Sequence, residues 1–286
     1  MVTTSLVASP QKTSVLGIGV SRTTYPECTE LIIESAKRRE VCTVAAVNVH
    51  SITTAYRDPQ GHGYRLKRFT LVAPDGQPVR WALNLLRQPG EQFLHDRVRG
   101  PELMLRLCER AASEGISIFL YGSKKSVLAN LRTNLTKQFP NLKIAGTISP
   151  PFRVLSVEED AEHMRQIRES GAGIVFVGLG CPRQERWIFE HRQKLNCPLV
   201  GVGAAFDMHS GNIQQAPFLM QKFGLEWLYR FLQDPIRLWK RYLLLNPLYV
   251  MLLTLQILKL LPQQNYDTPM ESQNGGEMTR SARMEI

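Results

Sequence analysis

FVGLGCPRQERWI (residues 176–188) and VGVGAAFDMHSG (residues 200–211) decide how this chain is read. In each, an uncharged aliphatic run ends in Gly-x-Gly and passes into a polar segment, the order strand, tight turn, helix. Pro182 falls where a first helical turn tolerates a missing amide. Glycines at such a turn let a ligand approach the backbone, and the free amides of the following helix start favour an anion. The pair of turns therefore points to a nucleotide-diphosphate site. Neither is a G-x-G-x-x-G fingerprint, because Arg183 and Phe206 occupy the third-glycine positions, which counts against a dinucleotide cofactor. No G-x-x-x-x-G-K-[ST] is present either, despite YGSKKS at residues 121–126.

Working outward, strands are expected at residues 15–20, 41–47, 69–73, 116–121, 142–146, 174–178 and 199–202, with helical patterns between most of them. Residues 123–139 carry Val127, Leu131, Leu135 and Phe139 at a spacing of four, one buried stripe of a helix. Such alternation implies an α/β fold, a Rossmann-like, mostly parallel sheet covered by helices. Residues 87–100, RQPGEQFLHDRVRG, break the order with Pro, Gly and charge and read as a loop near the site. The division expected is a flexible segment at 1–13, an α/β core at 14–217, an amphipathic helical appendage at 218–262 and a disordered polar tail at 263–286.

The formal net charge of +10 over 286 residues requires a face that prefers anions, whether nucleotide, lipid headgroup or nucleic acid. Five scattered cysteines without a C-x-x-C fit a reducing cytoplasm better than a disulfide framework or a zinc knuckle. The first twenty residues lack the basic-then-apolar order of a secretory signal. Residues 243–261 are greasy but hold Asn246, Pro247, Gln256 and Lys259, and the uninterrupted part at 248–258 falls short of the roughly 20 residues of a spanning helix.

Asp75 follows the strand FTLVA, where a side chain can enter the crevice beyond a parallel sheet and act as a general base on a hydroxyl; Pro-Asp-Gly is equally a common turn sequence. Asn48 and His50 follow the strand before it and approach the same edge. Each has a plain alternative, a helix cap for Asn48 and a satisfied buried histidine for His50. Gln184 and Asp207 lie where the two glycine strands empty into one cleft and are candidates for reading a base or ribose. Glu185 is read as complementing a helix dipole. Gly122 and Gly180 end strands where a substrate can reach the backbone. The chain has no D-x-D, so no metal is expected on the diphosphate, whose charge would be met by amides and by Arg97, Lys124 or Lys125.

Several strings in one order say more than any one of them: NVH at 48–50, APDGQPVRWAL at 73–83, RVRGPEL at 97–103, SPPFRVLSVEED at 149–160, VGLGCPRQERW at 177–187, GVGAAFD at 201–207 and GLEWLYRFLQDPIRLWKRYL at 224–243. Together they resemble the WecG/TagA/CpsF family of bacterial glycosyltransferases from about residue 17 to 245. The resemblance implies a cytoplasmic enzyme that moves a sugar of the N-acetylmannosamine or glucose type, with inversion, from a UDP-sugar to a polyprenyl-diphosphate-linked acceptor in cell-surface polysaccharide synthesis, with no cofactor and no required metal. By motif position it implies Asp75 as catalytic base, Asn48 as a substrate contact, Arg97 as a pocket arginine, and Phe152, Gln184 and Asp207 at the uridine end. One departure is Ala46, where many members have threonine two residues before the asparagine. Thr43 cannot replace it, since an offset of three along a strand reaches the other face.

The appendage carries an interfacial pattern. After Pro235, Arg237, Lys240 and Arg241 share one helix face by spacings of three and four, and Leu238, Tyr242 and Leu245 share another. With Arg230 these cations are expected to seat the protein on the anionic inner face of the cell membrane and to help cover the site. An ordinary helix packed on the protein's own core is the competing reading. Two other functions are weighed: an NAD-dependent oxidoreductase, disfavoured by the broken fingerprint, and a basic nucleic-acid-binding protein, disfavoured because aromatic and basic residues crowd into 227–242 in place of spreading over one face. The residues leave open the sugar, the acceptor and whether copies associate into a homo-oligomer.

Overall fold

The structure, a computed structural model, describes residues 10–269, without the side chains of Phe218, Arg237, Lys240 and Arg241. The chain opens with β1 (Lys12–Val15) and β2 (Ile18–Ser21), an antiparallel pair. Residues 15–20, expected as one strand, are thus a reversal. Leu16 and Gly17 both have positive φ, 51° and 84°, the backbone of a two-residue hairpin turn whose hand matches strand twist.

The remaining strands are β3 (Thr43–Val47), β4 (Leu71–Pro74), β5 (Ile118–Gly122), β6 (Ile144–Ile148), β7 (Ile174–Gly178) and β8 (Leu199–Gly201). They form one sheet in the order β4-β3-β8-β7-β5-β6, every pairing parallel. Parallel pairing needs crossovers, and the helices that make them bury both faces of the sheet. The side-chain period of two divides the core accordingly. Ala45, Val72, Phe119, Tyr121, Val175 and Val177 belong to one apolar cluster. Val44, Leu71, Ala73, Ile118, Leu120, Ile174 and Phe176 belong to the other.

Helix Lys125–Gln138 buries Val127, Leu128, Leu131 and Leu135, the stripe read from the sequence. Helix Val157–Glu169 begins with a reciprocal cap between Ser156 and Glu159 and three acidic residues in its first turn, which suits the positive end of the helix dipole.

Beyond residue 217 the chain forms short helices, Phe218–Lys222, Glu226–Gln233 and Pro235–Trp239, a π-helical turn Lys240–Leu244 and the longer Leu245–Ile257. The last of these is docked on the body. Gln256 accepts from Leu16 N at 2.8 Å and donates to Ser14 O at 2.8 Å, and buried Tyr249 donates to Pro78 O. Its other side, with Val250, Met251 and Leu258, is exposed, as are Leu243 and Leu244 before it. No helix among the described residues is long and apolar enough to cross a membrane. Of the stretch expected to be disordered, residues 263–269 are described, and Tyr266 is buried with its hydroxyl donating to Leu16 O at 2.7 Å. Residues 270–286 and 1–9 lie outside the described residues.

Candidate active site

The carboxyl ends of the parallel strands all open on one edge, the usual ligand edge of such a sheet. At β3 and β4 the ends are tied together, because Asp75 N donates to Val47 O at 2.9 Å. Val98 N in turn donates to Pro74 O at 2.9 Å, so the loop at 87–99 lies against β4. That loop has no regular structure yet is fixed. Asn84 exchanges two hydrogen bonds of 2.9 Å with the backbone of Leu94, Arg80 donates to Leu94 O and His95 O, and Leu94 and Val98 are buried. Arg97 and Arg99 flank the buried Val98, and both line a cavity with Asp75.

The result is a cavity of ≈ 320 Å³ lined by Asn48, His50, Asp75, Arg97, Arg99, Glu226 and Arg230, among others. Asp75 is not a helix cap: helix Gln77–Leu85 is capped at Gly76. Burial raises the Asp75 carboxyl above the usual carboxylate range, and Glu226 pushes the same way, while Arg97, Arg99 and Arg230 oppose it. A carboxylate with raised proton affinity beside three cations is suited to accept a proton from a hydroxyl while anionic groups lie close by. Asn48 has both its readings. It caps helix Val49–Arg57 by accepting from Ser51 N at 3.3 Å, and it lines the cavity. His50 lines the cavity from the first turn of that helix.

Arg97 is 5% exposed and makes a 2.5 Å ion pair with Glu226, to which Arg99 pairs at 2.7 Å. Gln221 accepts from both arginines, through its backbone carbonyl and its side chain respectively. The segment after 217 therefore closes the cavity, and Arg230, Trp227, Tyr242 and Tyr249 complete its wall. A second, apolar groove shares Trp227, Tyr242, Asn246 and Val250 with it and continues over Leu243, Pro247 and Met251. Arg99, Glu226 and Gln221 were missed by sequence reasoning. The R-V-R alternation marks the first, and Glu226 is the one carboxylate in GLEWLYR.

The residues assigned to the uridine end do not line this cavity. Gln184 is buried, donating to Glu185 at 2.8 Å and accepting from Gly203 N at 3.0 Å, so it links the turn after β8 to the head of helix Arg183–His191. Asp207, half-buried in helix Ala205–His209, accepts from Asn212 at 3.0 Å. Phe152 is 70% exposed, with the Arg183 guanidinium 5.9 Å from its ring centre. Gly122, at φ 127°, ends β5 so close to β7 that an added Cβ would meet Gly178 backbone at 2.6 Å. At Gly180, φ 79°, an added Cβ meets nothing within 4 Å. That glycine is required by conformation, and it leaves open space at the strand end. The cationic side chains of Arg237, Lys240 and Arg241 lie outside the described structure, though their backbone is helical.

The chain is similar to known proteins along most of its length. The Glycosyl transferase WecG/TagA/CpsF family matches residues 13–263. An N-acetylglucosaminyldiphosphoundecaprenol N-acetyl-beta-D-mannosaminyltransferase of Bacillus spizizenii (strain W23) is 34% identical over 180 residues, 63% of this chain and 66% of the relative. The protein with the same name from Bacillus subtilis (strain 168) is 35% identical over 179 residues, 62% of this chain and 66% of the relative. In both cases the matched stretch spans just under two thirds of the relative's length. With most of its length inside the family match, this chain belongs to the WecG/TagA/CpsF family of glycosyl transferases.

Proposed function

We propose that the protein transfers an N-acetylmannosamine-type sugar from a UDP-sugar to a polyprenyl-diphosphate-linked N-acetylglucosamine, with inversion, in cell-surface polysaccharide synthesis. The observation that carries this is Asp75 in one cavity with Arg97, Arg99 and Arg230. In the proposed reaction Asp75 takes the proton of the acceptor hydroxyl as the oxygen attacks the anomeric carbon and the bond to UDP breaks. The departing diphosphate gains negative charge, which Arg97, Arg99 and Arg230 are placed to stabilise. Asn48 and His50 hold sugar hydroxyls from the β3 side. Gln184, Asp207 and Phe152, with the close-packed strand end at Gly122 and the open turn at Gly180, bind the uridine end farther along the same sheet edge. The Bacillus relatives are named for the corresponding donor and acceptor sugars, which favours this donor over a glucose-type one.

The exposed apolar surface of residues 243–258 and the groove from Trp227 to Met251 suit the prenyl chain of the acceptor and the membrane that holds it. Six basic residues against two acidic ones across 222–261 add attraction to anionic lipid. The enzyme thus works as a peripheral protein on the inner face of the cell membrane. The test is incubation with a panel of UDP-sugars and a polyprenyl-diphospho-N-acetylglucosamine, followed by mass spectrometry of the lipid product. Addition of one N-acetylmannosamine, with UDP released in equal amount, is expected. Acceptor left unmodified by every donor would overturn the reading.

A further inference from the structure

At the head of helix Arg183–His191, three side chains from two distant parts of the chain converge, and none of the three lines the cavity around Asp75. One donor atom each from His62, Cys181 and Glu185 lies within 4.8 Å of the others. His62 Nε2 and Cys181 Sγ are 3.7 Å apart. A tetrahedral zinc, with bonds of about 2.3 Å to sulfur and 2.0–2.1 Å to nitrogen, holds a thiolate and an imidazole about 3.6 Å apart. Ser51 Oγ, 3.2 Å from the same His62 nitrogen, stands at the spacing of a fourth donor.

The buried groups of this cluster are only partly satisfied by the protein, through Gln184 on Glu185 and through Ser51 and Cys181 on His62 Nε2. Glu185 is 0% and His62 1% exposed, and Glu185 Oε2 has no hydrogen-bond partner among the described residues. A buried carboxylate oxygen without a partner costs free energy that a cation would remove. One thiolate, one carboxylate and a neutral imidazole also cancel the charge of a divalent ion, so the loaded site would be neutral in a low-dielectric place. Sulfur and imidazole donors select zinc over magnesium or calcium. Cys181 is only partly buried, which gives an ion a way in.

We propose that His62, Cys181 and Glu185 form a zinc site that ties the turn Pro59–Gly63 to the head of helix Arg183–His191. The tie is structural in kind. It lies beside Gln184, which holds Glu185 and the Gly203 amide together, and so it stiffens the turns after β7 and β8. No step of the sugar transfer passes through it.

The test uses the full chain, purified without a histidine tag and stripped of metal, titrated with Co²⁺ alone and then with Zn²⁺ alone. The wild type should take up one equivalent of Co²⁺ with the visible bands of a tetrahedral ion and a thiolate charge-transfer band, both abolished by one equivalent of Zn²⁺. Outer-shell partners alone are worth about 10–100-fold in metal affinity, so Cys181→Ser should lose the charge-transfer band and weaken Zn²⁺ binding by at least about 100-fold. His62→Gln should weaken it similarly, and Zn²⁺ should raise the melting temperature of the wild type more than that of either variant. Absence of a saturable tetrahedral spectrum in the wild type overturns the proposal, and so does a charge-transfer band that persists in Cys181→Ser. If a variant does not fold, the wild-type titration still decides.

Discussion

Asp75 differs from an ordinary turn aspartate in what surrounds it. Pro-Asp-Gly would place a solvated carboxylate at a turn, whereas here burial and Glu226 lift its proton affinity against the pull of Arg97, Arg99 and Arg230. A base must be ionised to act, so a raised pKa moves the acid limb of kcat/KM upward in pH. Activity should fall, as pH is lowered, at a pH above the ordinary aspartate value of about 3.9, and the limb should vanish in Asp75→Asn. A limb at or below that value in the wild type would show that the arginines prevail. Asp207 belongs to the same scale. Asp207→Ala should weaken UDP binding in calorimetry with the melting temperature little changed, because the side chain is half-buried and, among the described residues, its carboxylate is held by Asn212. Gln184→Ala is expected to weaken UDP binding too, but with loss of stability, since both ends of the amide are engaged inside the protein. Unaltered UDP affinity in both variants removes the uridine assignment.

Among the elements, the segment after residue 217 is the one whose sequence pattern left two readings standing, and the structure contains features of each. Helix Leu245–Ile257 packs through Tyr249, Leu252 and Gln256 on the body, while Val250, Met251 and Leu258 face outward. A period of 3.6 cannot tell a core-facing stripe from a lipid-facing one; the polar anchor Gln256 and its partners on the N-terminal hairpin decide it only in three dimensions. Glu226 is the latch of the shorter helices. Its ion pairs with Arg97 and Arg99 are shielded from solvent, where removing one partner of a pair is strongly destabilising. Glu226→Gln should therefore speed hydrogen exchange across residues 218–244 at least tenfold while leaving the sheet protected, and uniform exchange in both proteins would show that the latch is idle. The cations of this segment give a separate expectation. Near an anionic surface each basic residue is worth about 1 kcal/mol, so reversing Arg237, Lys240 and Arg241 to glutamate should release the protein from phosphatidylglycerol-containing vesicles in a sedimentation assay. Undiminished binding would sink the membrane reading.

Across the whole molecule, the parallel sheet was legible because uncharged, largely apolar runs, three of them ending in glycine, recur at the spacing of crossover units, and six of the seven expected strands are strands of that sheet. The seventh was not, since Leu16 takes a positive φ that a β-rich reading of VLGIGV does not anticipate. Motif position named Asp75, Asn48 and Arg97, the strand end named His50 and the appendage named Arg230, and these five line one cavity, whereas Phe152, Gln184 and Asp207, also named by motif position, do not line it. What stayed hidden are contacts made at long range: Glu226 on Arg97 and Arg99, and Tyr266 beside Leu16 and Gly17, where nothing local in either partner names the other. The central claim is that the cavity at the ends of β3 and β4 is where the sugar is transferred and that Asp75 is its base. The most direct measurement is the single-turnover rate of Asp75→Asn beside its UDP affinity, with UDP-N-acetylmannosamine and the lipid-linked acceptor. A rate lower by about 10²–10⁴-fold with UDP binding unchanged is predicted, and a rate within threefold of wild type in a folded variant would contradict the account.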